Sequence, residues 1–174
     1  RNNNIKVNIK NQVGGGNLKF KYRGQEIKFK KYIDKDNDIE IYLKTIDDQE
    51  NCIVITIMNK SKIAYIKKIN SNFGKCLKGN YLDNNGTTYI KICIDLLKKY
   101  RDKFKIDKIM LSDDAEFYCD KSTTIKLSNL SFLQHRESFY GKFGFIPVNQ
   151  QDKEYYELNK TKLKGIKTKE LNLN

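Results

Sequence analysis

Residues 86–100 read GTTYIKICIDLLKKY, and this stretch decides the type of fold. Its apolar residues recur every three or four positions, which places them on one face of an α-helix; they occupy positions 89, 90, 92, 93, 96, 97 and 100. Thr87 or Thr88 can cap the N-terminus, because a threonine hydroxyl accepts a hydrogen bond from a free backbone N–H there. The sequence therefore predicts a strong amphipathic helix.

Strand patterns lie on both sides of this helix. Residues 52–58 (CIVITIM) are almost continuously apolar, as in a central strand, and residues 62–69 complete a hairpin after a turn at 59–61. A short buried strand is expected at 106–111. Up to about residue 48, apolar and polar residues alternate, which is typical of half-buried antiparallel strands; the apolar positions are 5, 7, 9, 18, 20, 22, 27, 29, 39, 41 and 43.

Three segments rich in turn-forming residues separate the first strands, namely Gly14–Gly16, Arg23-Gly24 and Asp34–Asp38. A glycine run can cradle a phosphate when it opens a helix. Here the run joins two strand patterns instead, which favours a flexible hairpin loop.

The C-terminal part predicts a second helix at about 128–142, which Gly141 or Gly144 would end. A last strand is expected at 155–158. From Asn159 onward the chain is rich in Lys and Asn without a clear apolar pattern, so its end is expected to fray.

These elements predict one α/β (α+β) domain with a mixed, mostly antiparallel central sheet and two core helices. The length of 174 residues suits a single core. We expect residues 1–50 to form a strand-rich N-terminal part of this domain, residues 51–159 its core, and residues 160–174 a basic, flexible tail.

The formal net charge is +13, from 34 basic and 21 acidic residues. A basic surface attracts polyanions, but the lysines are dispersed and there is no arginine cluster suited to reading base edges. Charge alone therefore predicts at most a weak nucleic-acid contact. The frequent Lys, Asn and Ile are typical of AT-rich genomes, such as those of parasites, protists or large DNA viruses.

Four cysteines are widely spaced, and no Cys-x-x-Cys pair or nearby histidine completes a zinc site. Cys52 and Cys93 lie in apolar runs, where a cysteine acts as a small buried hydrophobe. We therefore expect no metal and free thiols in a reducing compartment, which predicts the cytoplasm, or the host cytoplasm or virion if the protein is viral. No apolar stretch is long enough to span a membrane.

Residues 138–145, SFYGKFGF, resemble the helix-ending motif Leu/Phe-Tyr-x-Lys-x-Gly-Phe of the GNAT family of N-acetyltransferases, and Pro147 follows soon after. The predicted order of hairpin, loop, helix, strand, helix and strand is also similar to that family's core. The resemblance covers about residues 52–158. It implies a GNAT-like fold, with Gly144 leaving its helix in a left-handed conformation.

The resemblance also implies acetyl-CoA as a co-substrate, with its pyrophosphate at the N-terminus of the first core helix. Unpaired N–H groups and the helix dipole favour an anion there. The corresponding cofactor-binding residues are Asn85, Gly86, Thr87 and Thr88, with Lys78 supplying charge nearby. Of the family's usual loop, Arg/Gln-x-x-Gly-x-Gly/Ala, only Gly86 has a counterpart.

For catalysis, the resemblance implies that Tyr140 protonates the departing thiolate, because a phenol is a suitable donor to a thiolate. A base must also accept a proton from the attacking amine. The candidate carboxylates are Glu40, Asp113, Asp114 and Glu116, of which the last three follow the strand after the helix. The amine itself is not identified by any of these residues.

Three functions stay open at this point. The first is an acetyl-CoA-dependent N-acetyltransferase acting on an amine. The second is a catalytically inactive GNAT-like binding or structural module, such as a virion component, which the incomplete pyrophosphate loop favours. The third is a basic nucleic-acid-binding protein, since residues 18–32 alternate Tyr and Phe with Lys and can form a stacking face.

Overall fold

The structure, a computed structural model, describes most of the chain as two compact units that divide between Ser112 and Asp113. The described residues are 12–45, 49–70, 76–77, 85–113, 116–118 and 124–164. The alternation predicted at residues 5 to 9 lies outside them.

The first unit contains a six-stranded sheet in which the spatial order of the strands follows the chain. The strands are β1 (Gln12–Tyr22), β2 (Gln25–Asp34), β3 (Ile39–Lys44), β4 (Asn51–Met58), β5 (Ile63–Ile69) and β6 (Lys108–Leu111). Neighbours from β1 to β5 are antiparallel, whereas β6 is parallel to β5 and is reached through helix α1 (Gly86–Lys99). The predicted mixed, mostly antiparallel sheet is therefore confirmed.

Alternation of side chains gives this sheet one buried face. Successive residues of a strand point to opposite faces, and the described apolar residues predicted from the period-two pattern are buried, namely Leu18, Phe20, Tyr22, Ile27, Phe29, Ile39, Ile41 and Leu43. In β4 and β5, Ile53, Ile55, Ile57, Ala64 and Ile66 are buried as well. Helix α1 lies on this face, since the Lys99 ammonium is 5.6 Å from the centre of the Phe20 ring. The Tyr100 hydroxyl also donates to the Lys19 carbonyl of β1 at 2.9 Å.

The glycine run does not form the predicted loop. Gly14, Gly15 and Gly16 lie within β1, where they pair with Ile33, Tyr32 and Lys31 of β2. The prediction was wrong because β2 is long enough to supply partners for the run. The chain reverses instead at Arg23-Gly24, where φ angles of 45° and 85° give the left-handed conformations that a two-residue hairpin requires.

A disulfide joins Cys52 of β4 to Cys76, with their Cα atoms 6.0 Å apart. The prediction of free thiols is therefore wrong for this pair. Cys93 of α1 is free and buried, as predicted, and burial raises the pKa of its thiol. Cys119 lies outside the described residues.

The second unit contains a short antiparallel pair, β7 (Glu116–Tyr118) and β8 (Thr124–Lys126), followed by α2 (Leu127–His135) and α3 (Gln150–Lys162). Helix α2 is shorter than predicted. It ends at His135 because Arg136 adopts a left-handed conformation, with φ 61°, and donates its N–H to the Phe132 carbonyl at 2.7 Å. A 3-10 turn follows at Gly141–Phe143.

The strand predicted at 155–158 is wrong, because these residues belong to α3. Residues 153, 156, 160 and 163 are the half-buried ones, and this three-to-four-residue spacing is that of a helix face. The Asn149 side chain caps the helix by accepting from the Asp152 N–H at 3.1 Å. The helix continues through residue 162 of the predicted tail, and residues 165–174 lie outside the described chain.

None of the helices in the described part of the chain has the length and apolar character that crossing a lipid bilayer requires.

Candidate functional site

The segment β5–α1–β6 forms a β-α-β unit whose two strands are parallel. Their ladder joins Ile63–Ile66 to Lys108–Leu111, and β5 then continues for the three residues up to Ile69. Beyond Ile66, the described part of β6 offers β5 no further partner. In parallel α/β units, ligands bind beyond the carboxyl ends of the strands, where the helix N-terminus also lies. The C-terminal end of this ladder is therefore the candidate site.

The N-terminus of α1 contains four of the predicted cofactor-binding residues, Asn85 to Thr88. The Asn85 side chain accepts a hydrogen bond from the Thr88 N–H at 2.8 Å. The helix is therefore capped by Asn85 and not, as predicted, by Thr87 or Thr88. The first N–H groups of a helix have no partner within it. Within the described part of the chain, the Asn85 side chain caps the N–H of Thr88 and not those of Gly86 and Thr87. The first turn has no acidic residue, so the positive end of the helix dipole is not neutralised there.

Replacing Asn85 by alanine is expected to lower the free energy of unfolding by about 1 kcal/mol, because the Thr88 N–H loses its acceptor. Thr87→Ala is the matched control, since Thr87 is exposed and does not cap the helix. Urea unfolding followed by circular dichroism measures both variants. A larger loss for Thr87→Ala than for Asn85→Ala would contradict the assignment of the cap.

Not all of the predicted site residues lie in the same unit. Asn85, Gly86, Thr87 and Thr88 belong to the first unit, whereas Tyr140 and Glu116 belong to the second. Glu116 is exposed at the start of β7, where it pairs with Lys126 of β8. Lys78 and Asp114 lie outside the described residues.

Tyr140 does not lie within a helix, contrary to the prediction. It precedes the 3-10 turn Gly141–Phe143 and is half-buried, with its ring edge-to-face against Phe139 at 5.1 Å and Phe145 at 6.3 Å. Gly144 adopts the predicted left-handed conformation, with φ 87°, but it ends the 3-10 turn instead of the second helix.

A polar cluster on the sheet was not located from the sequence, although Glu40 was among the candidate bases. The Glu40 carboxylate accepts hydrogen bonds from the Tyr42 hydroxyl, from Thr56 Oγ1 at 3.4 Å and from Lys67 Nζ at 3.2 Å. Tyr42 is only 3% exposed. Burial, and then the neighbouring Glu40 carboxylate, raise the pKa of the Tyr42 phenol above its usual range.

The cluster arises from strand pairing that a local pattern does not reveal. Glu40 of β3 is directly opposite Thr56 of β4. On β5, Ile66 and Lys68 pair with consecutive residues of β4, so Lys67 is the extra residue of a β-bulge. This bulge follows the last residue that pairs with β6, so Lys67 and its partner Glu40 lie beside the C-terminal end of the β5–β6 ladder.

The described residues contain no group of three or more His, Cys, Asp and Glu side chains able to hold a metal ion. No protein-family model, curated protein or solved structure matches the chain. The assignment of a function therefore depends on the site geometry and the motif resemblance.

Proposed function

We propose that the protein is an acetyl-CoA-dependent N-acetyltransferase with a GNAT-like core. The observation that supports this most is the β5–α1–β6 unit, in which the parallel ladder ends at Ile66 and Leu111 while β5 continues. In the family that the sequence resembles, the co-substrate enters a splayed gap between two central parallel strands, beside the N-terminus of the helix that connects them.

Within this proposal, the N–H groups of Gly86 and Thr87 bind the pyrophosphate at the positive end of α1. The acceptor amine attacks the thioester carbonyl carbon, the carbon–sulfur bond breaks, and the thiolate leaves with a proton. Glu40 is the described carboxylate best suited to accept the amine's proton, because it is partly buried and close to the end of the β5–β6 ladder. The resemblance also implies Tyr140 as the proton donor to the thiolate; Tyr140 belongs to the second unit, so this role stays a prediction.

Calorimetric titration of the full chain with acetyl-CoA tests the proposal, with desulfo-CoA and ATP as controls. We expect saturable one-to-one binding and much weaker binding of ATP. Thr87→Glu is expected to weaken acetyl-CoA binding about tenfold, because a carboxylate at the helix start repels the pyrophosphate. Thr87→Gln is the matched control, since it has nearly the same size without the charge.

The substitution Thr87→Glu separates binding from stability, because an acidic residue in the first turn favours the helix itself. Weaker binding in a variant as stable as the wild type therefore supports a pyrophosphate site at α1. A folded wild-type protein that does not bind acetyl-CoA would overturn the enzyme proposal and favour an inactive GNAT-like module.

A further inference from the structure

A cavity of about 580 Å³ lies in the first unit, along β2 and the C-terminal end of β3. We propose that this cavity is a second binding site, which takes a small organic phosphate with an apolar or aromatic body. Its lining includes no residue of α1, β5 or β6. The site is therefore distinct from the end of the β5–β6 ladder proposed for acetyl-CoA, and its existence does not depend on the proposed function.

The cavity is a consequence of how β2 and β3 pair. Their ladder covers only Lys30–Ile33 of β2 and Ile39–Tyr42 of β3. The preceding part of β2, residues 25–29, pairs with β1 on one side but has no ladder partner on β3 among the described residues. Paired strands are only about 4.8 Å apart, so a space of this size requires the two strands to diverge beyond the Lys30–Tyr42 pair.

Apolar side chains form part of the lining. Ile27 of β2 and Leu43 of β3 are buried, and so are Cys76 and Leu77. The disulfide to Cys52 of β4 fixes Cys76, so this wall is covalently attached to the sheet. An apolar wall of this kind suits the carbon skeleton of a ligand, because burying it removes apolar surface from water.

Three lysines contribute positive charges to the lining, and two of them, Lys30 and Lys44, also interact with other groups of the protein. Lys30 is paired with Tyr42, and Lys28 and Lys44 each lie two residues beyond that pair in the same direction. Side chains two residues apart on a strand point to the same face, so the three lysines share one face of the sheet. Among the described lining residues, Glu26 is the acidic one, and its Oε1 lies 4.0 Å from Nζ of Lys19 on β1.

This combination selects the class of ligand. Lysine binds phosphate as a compact point charge, and its attraction increases where a cavity excludes part of the water. The volume lies in the range of small-molecule sites, about 300 to 1,000 Å³. Since apolar side chains and three lysines line the same cavity, a small organic phosphate fits it better than a polymer or an inorganic anion.

Titration with 1-naphthyl phosphate tests the proposal, because this probe combines an apolar ring system with a phosphate. At constant ionic strength we expect saturable one-to-one binding, and at least tenfold weaker binding of 1-naphthol and of inorganic phosphate. The double variant Lys28→Gln/Lys44→Gln is expected to bind 1-naphthyl phosphate about tenfold more weakly than the wild type. Lys91→Gln/Lys108→Gln is the matched control, because it removes the same charge from exposed lysines outside the cavity.

Several outcomes would overturn the proposal. If the two double variants lost the same amount of affinity for 1-naphthyl phosphate, the lysines would act only through the long-range attraction of the net positive charge. Equal affinities for 1-naphthol and 1-naphthyl phosphate would mean that only the apolar wall contributes. If Lys28→Gln/Lys44→Gln does not fold, NMR titration of the wild type decides: shifts at β2, β3 and Leu77 support the site, and shifts elsewhere contradict it.

The variants already described also test whether this cavity and the proposed acetyl-CoA site are independent. Thr87→Glu is expected to leave 1-naphthyl phosphate binding unchanged, and Lys28→Gln/Lys44→Gln is expected to leave acetyl-CoA binding within about twofold. Failure of acetyl-CoA to bind would therefore leave the cavity proposal intact. If acetyl-CoA displaced 1-naphthyl phosphate competitively, the two sites would not be distinct.

Discussion

Replacing Cys52 and Cys76 together by alanine is expected to lower the free energy of unfolding by about 3 kcal/mol. The disulfide closes a loop with a sequence separation of 24 residues, so its loss returns conformational freedom to the unfolded chain. Loss of the disulfide also detaches Cys76 from the N-terminal end of β4. Because the chain has no tryptophan, far-UV circular dichroism during urea unfolding is the suitable measurement.

The reducing agent provides the internal control for this prediction. When urea unfolding is repeated with an excess of a thiol reductant, the free energy of unfolding of the wild type is expected to fall close to that of the double variant. The value for the double variant itself should not change with the reductant. Cys93→Ala, which replaces the free buried cysteine, is expected to retain the full reductant effect. If the wild type shows no such effect, the Cys52–Cys76 bond does not contribute to stability as proposed.

Truncating Leu96 to alanine is expected to cost about 3 kcal/mol. Leu96 is 0% exposed, in the middle of the face of α1 that packs on the sheet. Alanine is at least as good a helix former as leucine, so the loss comes from the removed apolar contacts and the cavity that remains. Urea unfolding of the variant measures it directly.

Two variants of the same helix test the cause of that loss. Leu96→Met keeps the side-chain volume and is expected to cost less than about 1.5 kcal/mol. Lys91→Ala changes an exposed position and is expected to stay within about 0.5 kcal/mol of the wild type. A cost for Lys91→Ala as large as that for Leu96→Ala would show that α1 is not packed through the face described.

The sequence predicted those elements whose pattern is local. Strands β2 to β5 and helix α1 were expected from apolar residues at period two or at helical spacing, because one face of each is buried. Helix α3 was missed because its half-buried face is not marked by a regular pattern of apolar residues. Its half-buried positions include Lys153 and Lys160, whose long aliphatic stems cover apolar surface without appearing in an apolar pattern.

Features that depend on distant partners could not be predicted in this way. The pairing of Gly15 with Tyr32 turned an apparent loop into part of a strand. The partner of Cys52 is fixed by where the chain passes after β5, and no spacing reveals it. Of the candidate site, the start of α1 was predicted from its sequence, whereas the Glu40 cluster and the cavity follow from strand register.

The order of the strands also determines how the first unit folds. All five of its pairings join consecutive strands; four are antiparallel hairpins, and the first of these closes over the two residues Arg23 and Gly24. Such hairpins form with little loss of chain entropy. Only the pairing of Ile63 with Lys108 joins distant segments. Contacts of this kind slow folding, so we expect docking of α1 and β6 onto a sheet already formed by β1 to β5 to be the slow step of folding.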